Sequence, residues 1–436
     1  MPATSGARKL VLVVIDGLTP AMFEGAVGDR SAPMLSALAE RGSYRRAASV
    51  FPSLTPVCLS SIATGAHPDG HEIPHLVWYH RGERRIVEYG SSFGAVRAAG
   101  IGRSLRDTIW GLNARHLSPG ATTLYEALED VGRVPAAINI TCYRGRTRHL
   151  PKVPGLPAAW GPRHFFFYSL FESDQTGAPL AVRNRPAGTV DAYAATVGRW
   201  LVTRDAFDAL VFYLSDYDYA SHTHGPDMAH EALARCDAAI GALLEAAGGI
   251  DEFLDRYDLV LCSDHGQTRV EHAAVLHEPF ARVEGTLVTA SNRAGMVYRL
   301  PECREDVRSL AERLDGQTSV DATLFLEHGE PVVRRAGADV PIGELEYPDA
   351  EARIRGALGN PNACEVLVSA AAGYEFADGG GSTHVGGGSH GSLLAGDSEV
   401  PMLTIGLDEA PASITEVTPA ILNHLEVSTR PIAGQE

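Results

Sequence analysis

Three continuous apolar stretches in this chain are each followed closely by an aspartate. The stretches are residues 10–15 (LVLVVI), 209–214 (ALVFYL) and 258–262 (DLVLC), the last of them apolar after its first residue, and the aspartates that follow are Asp16, Asp218 and Asp264. Short apolar runs of this kind are typical of strands buried on both faces of a parallel sheet. Helical patterns separate them, so the alternation predicts an α/β fold with a mostly parallel central sheet and helices on both faces. The carboxyl ends of parallel strands share one edge of the sheet, where ligands bind in such folds.

Composition sets limits on the class of protein. The chain has 436 residues, 45% of them hydrophobic, which suits one large α/β domain with insertions or two to three domains. Its formal net charge of −17 argues against nucleic acid as a stable partner and against an anionic membrane surface. The six cysteines show no CxxC spacing, which is typical of free thiols in a reducing compartment.

No targeting or membrane-spanning segment is expected. Arg8 and Lys9 precede an apolar run of only six residues that ends at Asp16, without a small-residue cleavage site. No apolar run approaches the length of a transmembrane helix. We therefore expect a cytoplasmic protein with no membrane partner.

The segment FPSLTP at residues 51–56 predicts the start of a helix. Thr55 is placed as the N-cap and Pro56 as the first helical residue, and the helix is expected to end at Gly65. A hydroxyl at this position faces unpaired backbone N–H groups and the positive end of the helix dipole, which together favour a phosphate group. A Thr-Pro pair is also common at helix starts with a purely structural role, so Thr55 gains significance only from the residues that accompany it.

The rest of the chain divides into a core and two further regions. We assign residues 1–266 and 368–436 to the α/β core, with residues 66–120 as a substrate-side loop region within it. Residues 267–367 depart from the strand–helix alternation and predict a small α+β insertion or cap.

The loop region contains four histidines within fourteen residues: His67, His71, His75 and His80. Their spacing lacks the grouping of a metal-binding motif, so they are interpreted as surface or loop residues. The basic segment at residues 142–149 suits contact with a phosphate or a leaving group, although charge runs are more often solvated loops. Candidates for a specificity pocket are Trp78, Tyr79, Phe93 and residues 144–148.

Acidic and imidazole side chains thus gather at predicted strand ends and loops. They are Asp16, Asp218, His222, Asp264, His265 and His390, with Thr55 beside them. Mixed nitrogen and oxygen ligands suit a divalent transition metal, typically zinc. Seven candidate ligands are too many for one tetrahedral ion but suit two, and two ions about 4 Å apart can clamp the attacking and leaving oxygens of an in-line displacement. The sequence therefore predicts two divalent metal ions, with zinc as the first choice.

Five motifs extend this pattern over nearly the whole chain. They are VVIDG at 13–17, FPSLTP at 51–56, YDYASHTHGP at 217–226, CSDHG at 262–266 and GSHGS at 388–392. Together they resemble the alkaline phosphatase superfamily and, within it, the type I phosphodiesterase/nucleotide pyrophosphatase family. The resemblance implies an alkaline-phosphatase-like fold and a metal-dependent hydrolase of phosphodiester or diphosphate bonds, acting on a small phosphate ester or nucleotide.

The resemblance also implies a role for each site residue. The ligands of one metal correspond to Asp16, Thr55, Asp264 and His265, and those of the other to Asp218, His222 and His390. Thr55 is in addition the nucleophile, which forms a phospho-threonine intermediate. Three neighbours compete on sequence context: His224 with His222, His384 with His390, and Asp216 with Asp218.

Two departures from the family pattern concern the substrate. Family members usually carry an aromatic residue directly after the nucleophile, where this chain has Pro56. They usually also carry an asparagine that donates to a phosphate oxygen, but residues 71–79 contain none, and His75 is the candidate substitute. Both departures weaken the case for a nucleotide substrate but leave phosphate-ester chemistry intact.

Alternative functions remain at this stage. The same fold suits a phosphomonoesterase, or a phosphotransferase, which should have a serine nucleophile and more basic residues. A sulfatase is disfavoured, because the Cys/Ser-x-Pro-x-Arg motif is absent. From a different class, the chain could be a catalytically inactive metal-binding protein. The sequence leaves the oligomeric state open.

Overall fold

The computed structural model describes residues 9–90, 100–180, 189–378 and 383–428. Its strands, in chain order, are β1 (Lys9–Ile15), β2 (Ser43–Ala48), β3 (Val77–His80), β4 (Arg85–Glu88), β5 (Pro135–Ile138), β6 (Thr147–His149), β7 (Ala159–Gly161), β8 (His164–Phe167), β9 (Phe171–Ser173), β10 (Ala209–Leu214), β11 (Tyr257–Cys262), β12 (Thr268–Arg269), β13 (His272–Ala274), β14 (Thr286–Ser291), β15 (Ala294–Arg299), β16 (Val320–Glu327), β17 (Glu330–Arg335), β18 (Ala338–Val340), β19 (Val366–Ala370), β20 (Tyr374–Phe376), β21 (Gly388–Ser389) and β22 (Glu399–Ile405).

The α-helices of these ranges are α1 (Pro20–Gly28), α2 (Pro33–Ala39), α3 (Thr55–Thr64), α4 (Pro68–His71), α5 (Ile101–Arg106), α6 (Leu124–Asp130), α7 (Val190–Arg204), α8 (Asp216–His224), α9 (His230–Ala247), α10 (Ile250–Leu254), α11 (Val307–Glu312), α12 (Ala350–Leu358), α13 (Ala395–Ser398) and α14 (Val417–His424). A π-helical segment, Asp107–His116, follows α5. Within the described ranges, none of these helices combines the length and the apolar character that crossing a membrane requires.

Eight strands form the central sheet, in the order β2-β22-β11-β1-β10-β5-β8-β9. The five strands from β11 to β8 run parallel. In contrast, β2, β22 and β9 pair antiparallel with their neighbours. The three apolar stretches predicted as strands are β10, β1 and β11, and they lie side by side within the parallel part. The predicted α/β class and mostly parallel sheet are confirmed.

Helices cover both faces of this sheet. Because successive residues of a strand point to opposite sides, β1 contributes to two separate apolar cores. Leu10, Leu12 and Val14 pack with residues of α3, α6 and α14. On the other face, residues 11, 13 and 15 pack with α1, α2, α7 and α9. This burial on both faces explains why every residue of β1 after Lys9 is apolar.

A second sheet contains six antiparallel strands, in the order β14-β15-β19-β16-β17-β18. One face joins a small apolar core that includes Val297, Leu310 and Phe325. The other face packs into the main core through residues such as Met296 and Leu324. This sheet occupies the region predicted as an α+β insertion, although β19 ends three residues beyond it. The domain limits themselves stay a prediction.

Two of the four histidines of the loop region do not lie at the surface, where they were expected. His71 and His75 are fully buried, so that part of the interpretation is wrong. His71 Nε2 lies 3.0 Å from the Ser61 hydroxyl. Burial lowers the pKa of His71 to about 3 and that of His75 to about 4, so both are neutral residues of the core. The nearby Phe93 lies outside the described residues.

The basic segment at residues 142–149 is anchored to a helix. Arg144 and Arg146 both pair with Glu126 of α6, at 3.2 and 2.8 Å. Arg146 also pairs with Asp130 at 3.0 Å. These ion pairs give the arginines a structural role in place of a freely solvated loop.

The start of α3 is shifted by one residue from its predicted position. Thr55 is the first helical residue, and Leu54 is the N-cap, with no side chain as a cap. The amides of Val57 and Cys58 both donate to the Leu54 carbonyl. The prediction that Thr55 caps the helix is therefore wrong, while the predicted end at Gly65, in the left-handed conformation, is confirmed. The Thr55 hydroxyl therefore makes no capping hydrogen bond to its own helix.

A buried ion pair connects the second sheet to the core. Arg293, in the turn between β14 and β15, is fully buried, and its guanidinium donates to Asp397 at 2.8 Å. It also donates to the carbonyls of Tyr374 and Ala371, both at 3.0 Å. Asp397 in turn accepts hydrogen bonds from the Ser392 amide and hydroxyl.

We expect Arg293→Met to lower the free energy of unfolding by about 3–5 kcal/mol, because it leaves the Asp397 carboxylate buried without its partner. Urea denaturation measures this loss. Arg308→Met is the matched control: Arg308 pairs with Glu327 at 2.7 Å but is partly exposed, so its loss should lower the free energy of unfolding much less. Equal losses in the two variants would contradict a special role for the buried pair.

Candidate metal centre and active site

The predicted aspartates follow three neighbouring strands of the central sheet. Asp16 comes directly after β1, and Asp264 comes two residues after β11. Asp218 lies in the first turn of α8, which begins just after β10. Because β10, β1 and β11 are parallel and adjacent, their carboxyl ends bring the three carboxylates to one edge of the sheet.

Two further segments reach the same edge. Thr55 is placed there by the start of α3. His390 follows β21, which pairs with β12, the short strand just after His265. The pairing of β21 with β12 therefore brings the glycine-rich loop beside the aspartates.

Asp16, Asp264 and His265 form one candidate ligand group, with their ligand atoms all within 4.8 Å of one another. His265 Nε2 lies 3.3 Å from Asp16 Oδ1 and 3.5 Å from Asp264 Oδ2. The same nitrogen lies 3.1 Å from the Thr55 hydroxyl oxygen. The structure thus brings together the four residues that the resemblance assigns to one metal.

Asp218, His265 and His390 form a second candidate group within the same distance limit. His390 Nε2 is 4.0 Å from Asp218 Oδ1, and His222 Nε2 is 3.3 Å from Asp218 Oδ2. The rings of His265 and His390 stack with centroids 3.6 Å apart. Since His265 belongs to both groups, the two candidate sites adjoin each other.

The competing residues lie differently. Asp216 is bound through its Oδ2 by the backbone amide of Asp191, at 3.3 Å. His224 is exposed at the end of α8, and neither residue belongs to a candidate ligand group of the described residues. His384 packs against His222 with ring centroids 4.1 Å apart and the ring planes tilted by 30°. The metal-binding and catalytic roles assigned from the sequence stay predictions.

Each imidazole of the centre is oriented by a backbone carbonyl. His265 Nδ1 donates to Gly266 O at 3.0 Å, and His222 Nδ1 donates to Gly388 O at 2.7 Å. His390 Nδ1 likewise donates to Ser53 O at 2.7 Å. With Nδ1 bound in this way, Nε2 of each ring faces the centre and offers a lone pair when the ring is neutral, which is the arrangement found in metal-binding histidines.

The centre carries an excess of buried negative charge. Burial and the neighbouring Asp218 raise the pKa of Asp16, and burial together with Asp16 raises the pKa of Asp264 well above its usual range. Burial disfavours the charged form of His265, but Asp264 and Asp16 outweigh it and raise the pKa to about 10. Burial also acts against the Asp218 charge, yet His222 overcomes it and lowers the pKa of Asp218. Without a cation, bound protons thus partly neutralise the negative charge of these carboxylates.

Two buried carboxylate oxygens point to a cation. Asp16 Oδ1 and Asp264 Oδ2 receive no hydrogen bond from the described residues. Their partner oxygens are satisfied, since Tyr213 donates to Asp16 Oδ2 and Gly17 N donates to Asp264 Oδ1 at 3.2 Å. An unpaired buried oxygen is costly unless a metal or donor meets it. Mixed carboxylate and imidazole ligands fit a divalent transition metal here.

Gln267 and Gly17 support the centre, and sequence reasoning missed both. Gln267 donates through its side-chain amide to Asp218 and accepts from the Ser221 hydroxyl. Gly17 has a φ of +68°, and a Cβ there would lie 2.8 Å from Asp218 Oδ1. A glycine is required because the turn after Asp16 needs both a left-handed backbone and close approach. Its place in the VVIDG motif is the one signal the sequence offered.

The centre opens into a cavity of about 530 Å³. Its lining includes Thr55, Asp218, His222 and His390. Residues that sequence reasoning did not place there complete the wall, among them Leu76, Tyr89, Asn292 and His384. Of the specificity candidates within the described residues, neither Trp78 nor Tyr79 nor residues 144–148 line it.

The position predicted for His75 is taken by other side chains. His75 is fully buried beside the backbone of Ala294, whereas its neighbour Leu76 lines the cavity. An amide is nevertheless present, because Asn292 reaches the cavity from the turn between β14 and β15. His75 is therefore not the substitute donor.

Comparison with known proteins adds to this picture. The sequence model of the family described as type I phosphodiesterase/nucleotide pyrophosphatase matches residues 10–393. Human ectonucleotide pyrophosphatase/phosphodiesterase family member 7 is 25% identical over 279 residues, which are 61% of this chain and 49% of the human protein. The chain thus spans about half the length of this curated relative.

Solved structures share the fold. Phosphonoacetate hydrolase from Sinorhizobium meliloti, in complex with phosphonoformate, matches with a TM-score of 0.64 and 17% identity over 97% of this chain and 96% of its own. Murine ectonucleotide pyrophosphatase/phosphodiesterase 5 matches with a TM-score of 0.63 and 13% identity over 98% of each chain.

The fold and the site together define an α/β protein with a mostly parallel central sheet and two adjoining candidate metal-ligand groups at the carboxyl edge of that sheet. More specifically, the chain belongs to the type I phosphodiesterase/nucleotide pyrophosphatase family, which is a family of phosphoric ester hydrolases. The resemblance inferred from the five motifs is confirmed.

We expect the metal-free chain to release protons when it binds Zn²⁺, with an apparent affinity that rises with pH. The pKa of about 10 keeps His265 protonated near neutral pH, and burial together with Asp16 shifts Asp264 toward its protonated form; a residue must lose such a proton to act as a ligand. Calorimetric titrations in buffers of different ionisation enthalpy measure this release.

Asp237→Asn is the matched control for Asp264→Asn in this titration. Asp237 is also a buried aspartate, but it belongs to neither candidate ligand group. Its carboxylate accepts hydrogen bonds from the backbone amides of Met34 and Leu35, at 3.2 and 2.8 Å. The control should bind zinc like the unmodified chain, and Asp264→Asn should bind it more weakly. An affinity independent of pH, or equal in both variants, would contradict the assignment.

Proposed function

We propose that this protein is a metal-dependent hydrolase of phosphodiester or diphosphate bonds that acts through a phospho-Thr55 intermediate. One observation carries the proposal: the Thr55 hydroxyl lies 3.1 Å from Nε2 of His265, the residue that the two candidate ligand groups share. A phosphorus atom held between the two groups is then within reach of the hydroxyl. Family membership supports the same chemistry.

Hydrolysis takes place in two displacements. In the first, Thr55 Oγ1 forms a bond to phosphorus, and the bond from phosphorus to the leaving oxygen breaks, which releases an alcohol or a phosphate. In the second, a water oxygen attacks phosphorus, and the bond to Thr55 Oγ1 breaks. Because α3 begins at Thr55, the positive end of the helix faces the charge that develops on the phosphoryl oxygens.

Two divalent cations, zinc as the first choice, belong to the proposal. Asp16, Thr55, Asp264 and His265 would hold one, and Asp218, His222 and His390 the other. When bound, such cations supply the positive charge that lowers the pKa of a coordinated hydroxyl or water and neutralises phosphoryl oxygens. The chain contributes imidazoles that are oriented by backbone carbonyls and carboxylate oxygens that receive no hydrogen bond from the described residues.

The cavity favours a substrate with a substituent beyond the phosphoryl group. Its volume of about 530 Å³ lies in the usual range for small-molecule sites. Pro56, Leu76, Leu112 and Tyr89 give it an apolar wall. An inactive variant of the murine relative was solved in complex with AMP. We therefore propose a small phosphate diester or nucleotide as the substrate, with a phosphomonoester as the competing class.

Asn292 supplies the amide donor of this site in the proposed mechanism. Its Nδ2 lies 3.0 Å from His390 Nε2, while its Oδ1 accepts from the Ser291 hydroxyl at 3.0 Å. This contact to Ser291 keeps the N–H groups turned toward the centre. When His390 Nε2 serves as a ligand it cannot accept, so the amide is available to a phosphoryl oxygen.

The backbone holds Asn292 firmly in this place. The residue has a left-handed φ of +56°, which asparagine tolerates better than most residues. Its carbonyl accepts from Phe376 N at 2.8 Å, and the following amide, of Arg293, donates to His390 O at 2.9 Å. The turn and the ligand loop are thus joined directly, which favours a precise contact with substrate.

We expect Thr55→Ala to lower kcat for bis(p-nitrophenyl) phosphate at least about a hundredfold, because the covalent nucleophile is lost. The fold should be unchanged. Zinc should still bind, although more weakly at the one site to which Thr55 contributes. Thr64→Ala, at the opposite end of α3, where Thr64 donates to the Ser60 carbonyl, is the matched control and should retain activity. A near-normal rate for Thr55→Ala would remove this residue from the mechanism.

The same assay separates the substrate classes. Faster turnover of the diester than of p-nitrophenyl phosphate supports the proposed function. Faster turnover of the monoester assigns a phosphomonoesterase, and stoichiometric zinc without any turnover assigns an inactive metal-binding protein.

We expect Asn292→Gly to lower kcat about 10²–10³-fold, with little change in zinc content, because a donor to the developing charge is lost. Glycine adopts φ of +56° without strain, so the turn should be preserved. Asn360→Ala is the control: Asn360 is also buried, but it donates to the Pro68 carbonyl at 2.7 Å and does not line the cavity. Similar rates in the two variants would rule out the Asn292 contact.

A further inference from the structure

Four imidazole rings form a row that leads from the centre to the cavity mouth. In order they are His265, His390, His222 and His384, with centroid separations of 3.6, 5.2 and 4.1 Å. The exposed fraction of the side chain rises along the row, from 0% through 3% and 16% to 23%. The last histidine is thus the outermost, and it lines the same cavity as Thr55.

A buried glutamate fixes the outermost ring. His384 Nδ1 lies 2.9 Å from Glu375 Oε2, and the His384 amide donates to Glu375 Oε1. Glu375 is only 2% exposed. Burying a carboxylate is costly unless it is well bound, so both of its oxygens serve to hold this one residue.

The opposite edge of the His384 ring faces the open side. Because Nδ1 is turned toward buried Glu375, the exposed part of the ring is the edge with Nε2. No described residue hydrogen-bonds to Nε2. With the proton on Nδ1, the neutral ring offers a lone pair at Nε2, which accepts a hydrogen bond from a hydroxyl group. His222 does not depend on this ring for its orientation, since Gly388 O already binds its Nδ1.

We propose that His384 is a substrate-binding residue that accepts a hydrogen bond from a hydroxyl group on the ester substituent beyond the phosphoryl group. This inference rests on the proposed function and narrows its substrate class to phosphate diesters with a hydroxyl-bearing substituent, either a sugar or a smaller polyol. The neighbouring wall has matching polar character, with the side chains of Tyr219 and Thr223.

Two diesters with the same leaving group test the inference. Thymidine 5′-(p-nitrophenyl) phosphate carries a sugar hydroxyl, and methyl p-nitrophenyl phosphate carries no hydroxyl. His384→Ala should lower kcat/KM about tenfold for the thymidine ester, as expected for one lost hydrogen bond, and leave the methyl ester unchanged. Glycerol p-nitrophenyl phosphate, as a third ester, identifies which substituent is recognised. If His384→Ala loses kcat/KM with the glycerol ester alone, the substituent is a small polyol. If it loses kcat/KM with the thymidine ester alone, the substituent is a sugar.

Two further variants keep the result interpretable. His384→Gln retains an acceptor atom and should recover part of the loss. His277→Ala is the matched control: His277 Nδ1 also pairs with a carboxylate, Asp378, at 2.9 Å, but the residue lies on the surface away from the cavity. It should behave like the unmodified protein on every ester.

Other outcomes would overturn the inference. An equal loss for the thymidine and methyl esters, or a fall in zinc content of His384→Ala, would show that His384 acts only through His222. No loss with either hydroxyl-bearing ester would show that it does not contact substrate. If the unmodified protein hydrolyses none of the esters, the proposed function itself fails, which is a distinguishable result.

Discussion

The centre depends on buried carboxylates that have too few hydrogen-bond donors. Asp16 and Asp264 each bind a donor through one oxygen, while the other oxygen receives no hydrogen bond from the described residues and faces only His265 Nε2, at 3.3 and 3.5 Å. Such oxygens are costly inside a protein, and nearby charges increase the cost. The parallel strands nevertheless fix them there, because β1 and β11 are neighbours in register. A bound divalent cation would balance this charge, which is why the geometry supports a metal site more strongly than any single motif does.

Much of the centre could be predicted because strand ends obey a simple rule. Asp16, Asp218 and Asp264 are far apart in sequence, but each follows a buried parallel strand, and such strands end at one edge. His222 and His265 reach the same edge because they lie close in sequence to Asp218 and Asp264. The same rule cannot locate Asn292 or His384, because both arrive from turns and loops whose paths depend on the packing of the second sheet. Their neighbouring residues contain no periodic pattern that would signal a place in the cavity.

The two errors of local interpretation have physical causes. His71 and His75 occupy a segment without regular periodicity, yet the segment lies under the second sheet and beside α3, so tertiary packing buries both rings. Thr55 fits the residue preference of an N-cap, but the Leu54 carbonyl already binds the first amides of α3. This shift of one residue has a chemical consequence. A hydroxyl that accepts a hydrogen bond from its own helix would have a lone pair engaged, whereas the Thr55 hydroxyl meets His265.

The second sheet takes part in the site as well as in the fold. Arg293 is anchored by its buried pair with Asp397, and its amide donates to the carbonyl of His390. The preceding residue, Asn292, is therefore held against a candidate metal ligand by the backbone of its own turn. A donor that must meet a phosphoryl oxygen and a histidine that would hold the adjacent cation are thus positioned by one set of hydrogen bonds. This coupling gives a physical reason for the chain to deliver an amide from the β14–β15 turn: the turn is already fixed against the metal-binding loop, and a donor placed there needs no further ordering when substrate arrives.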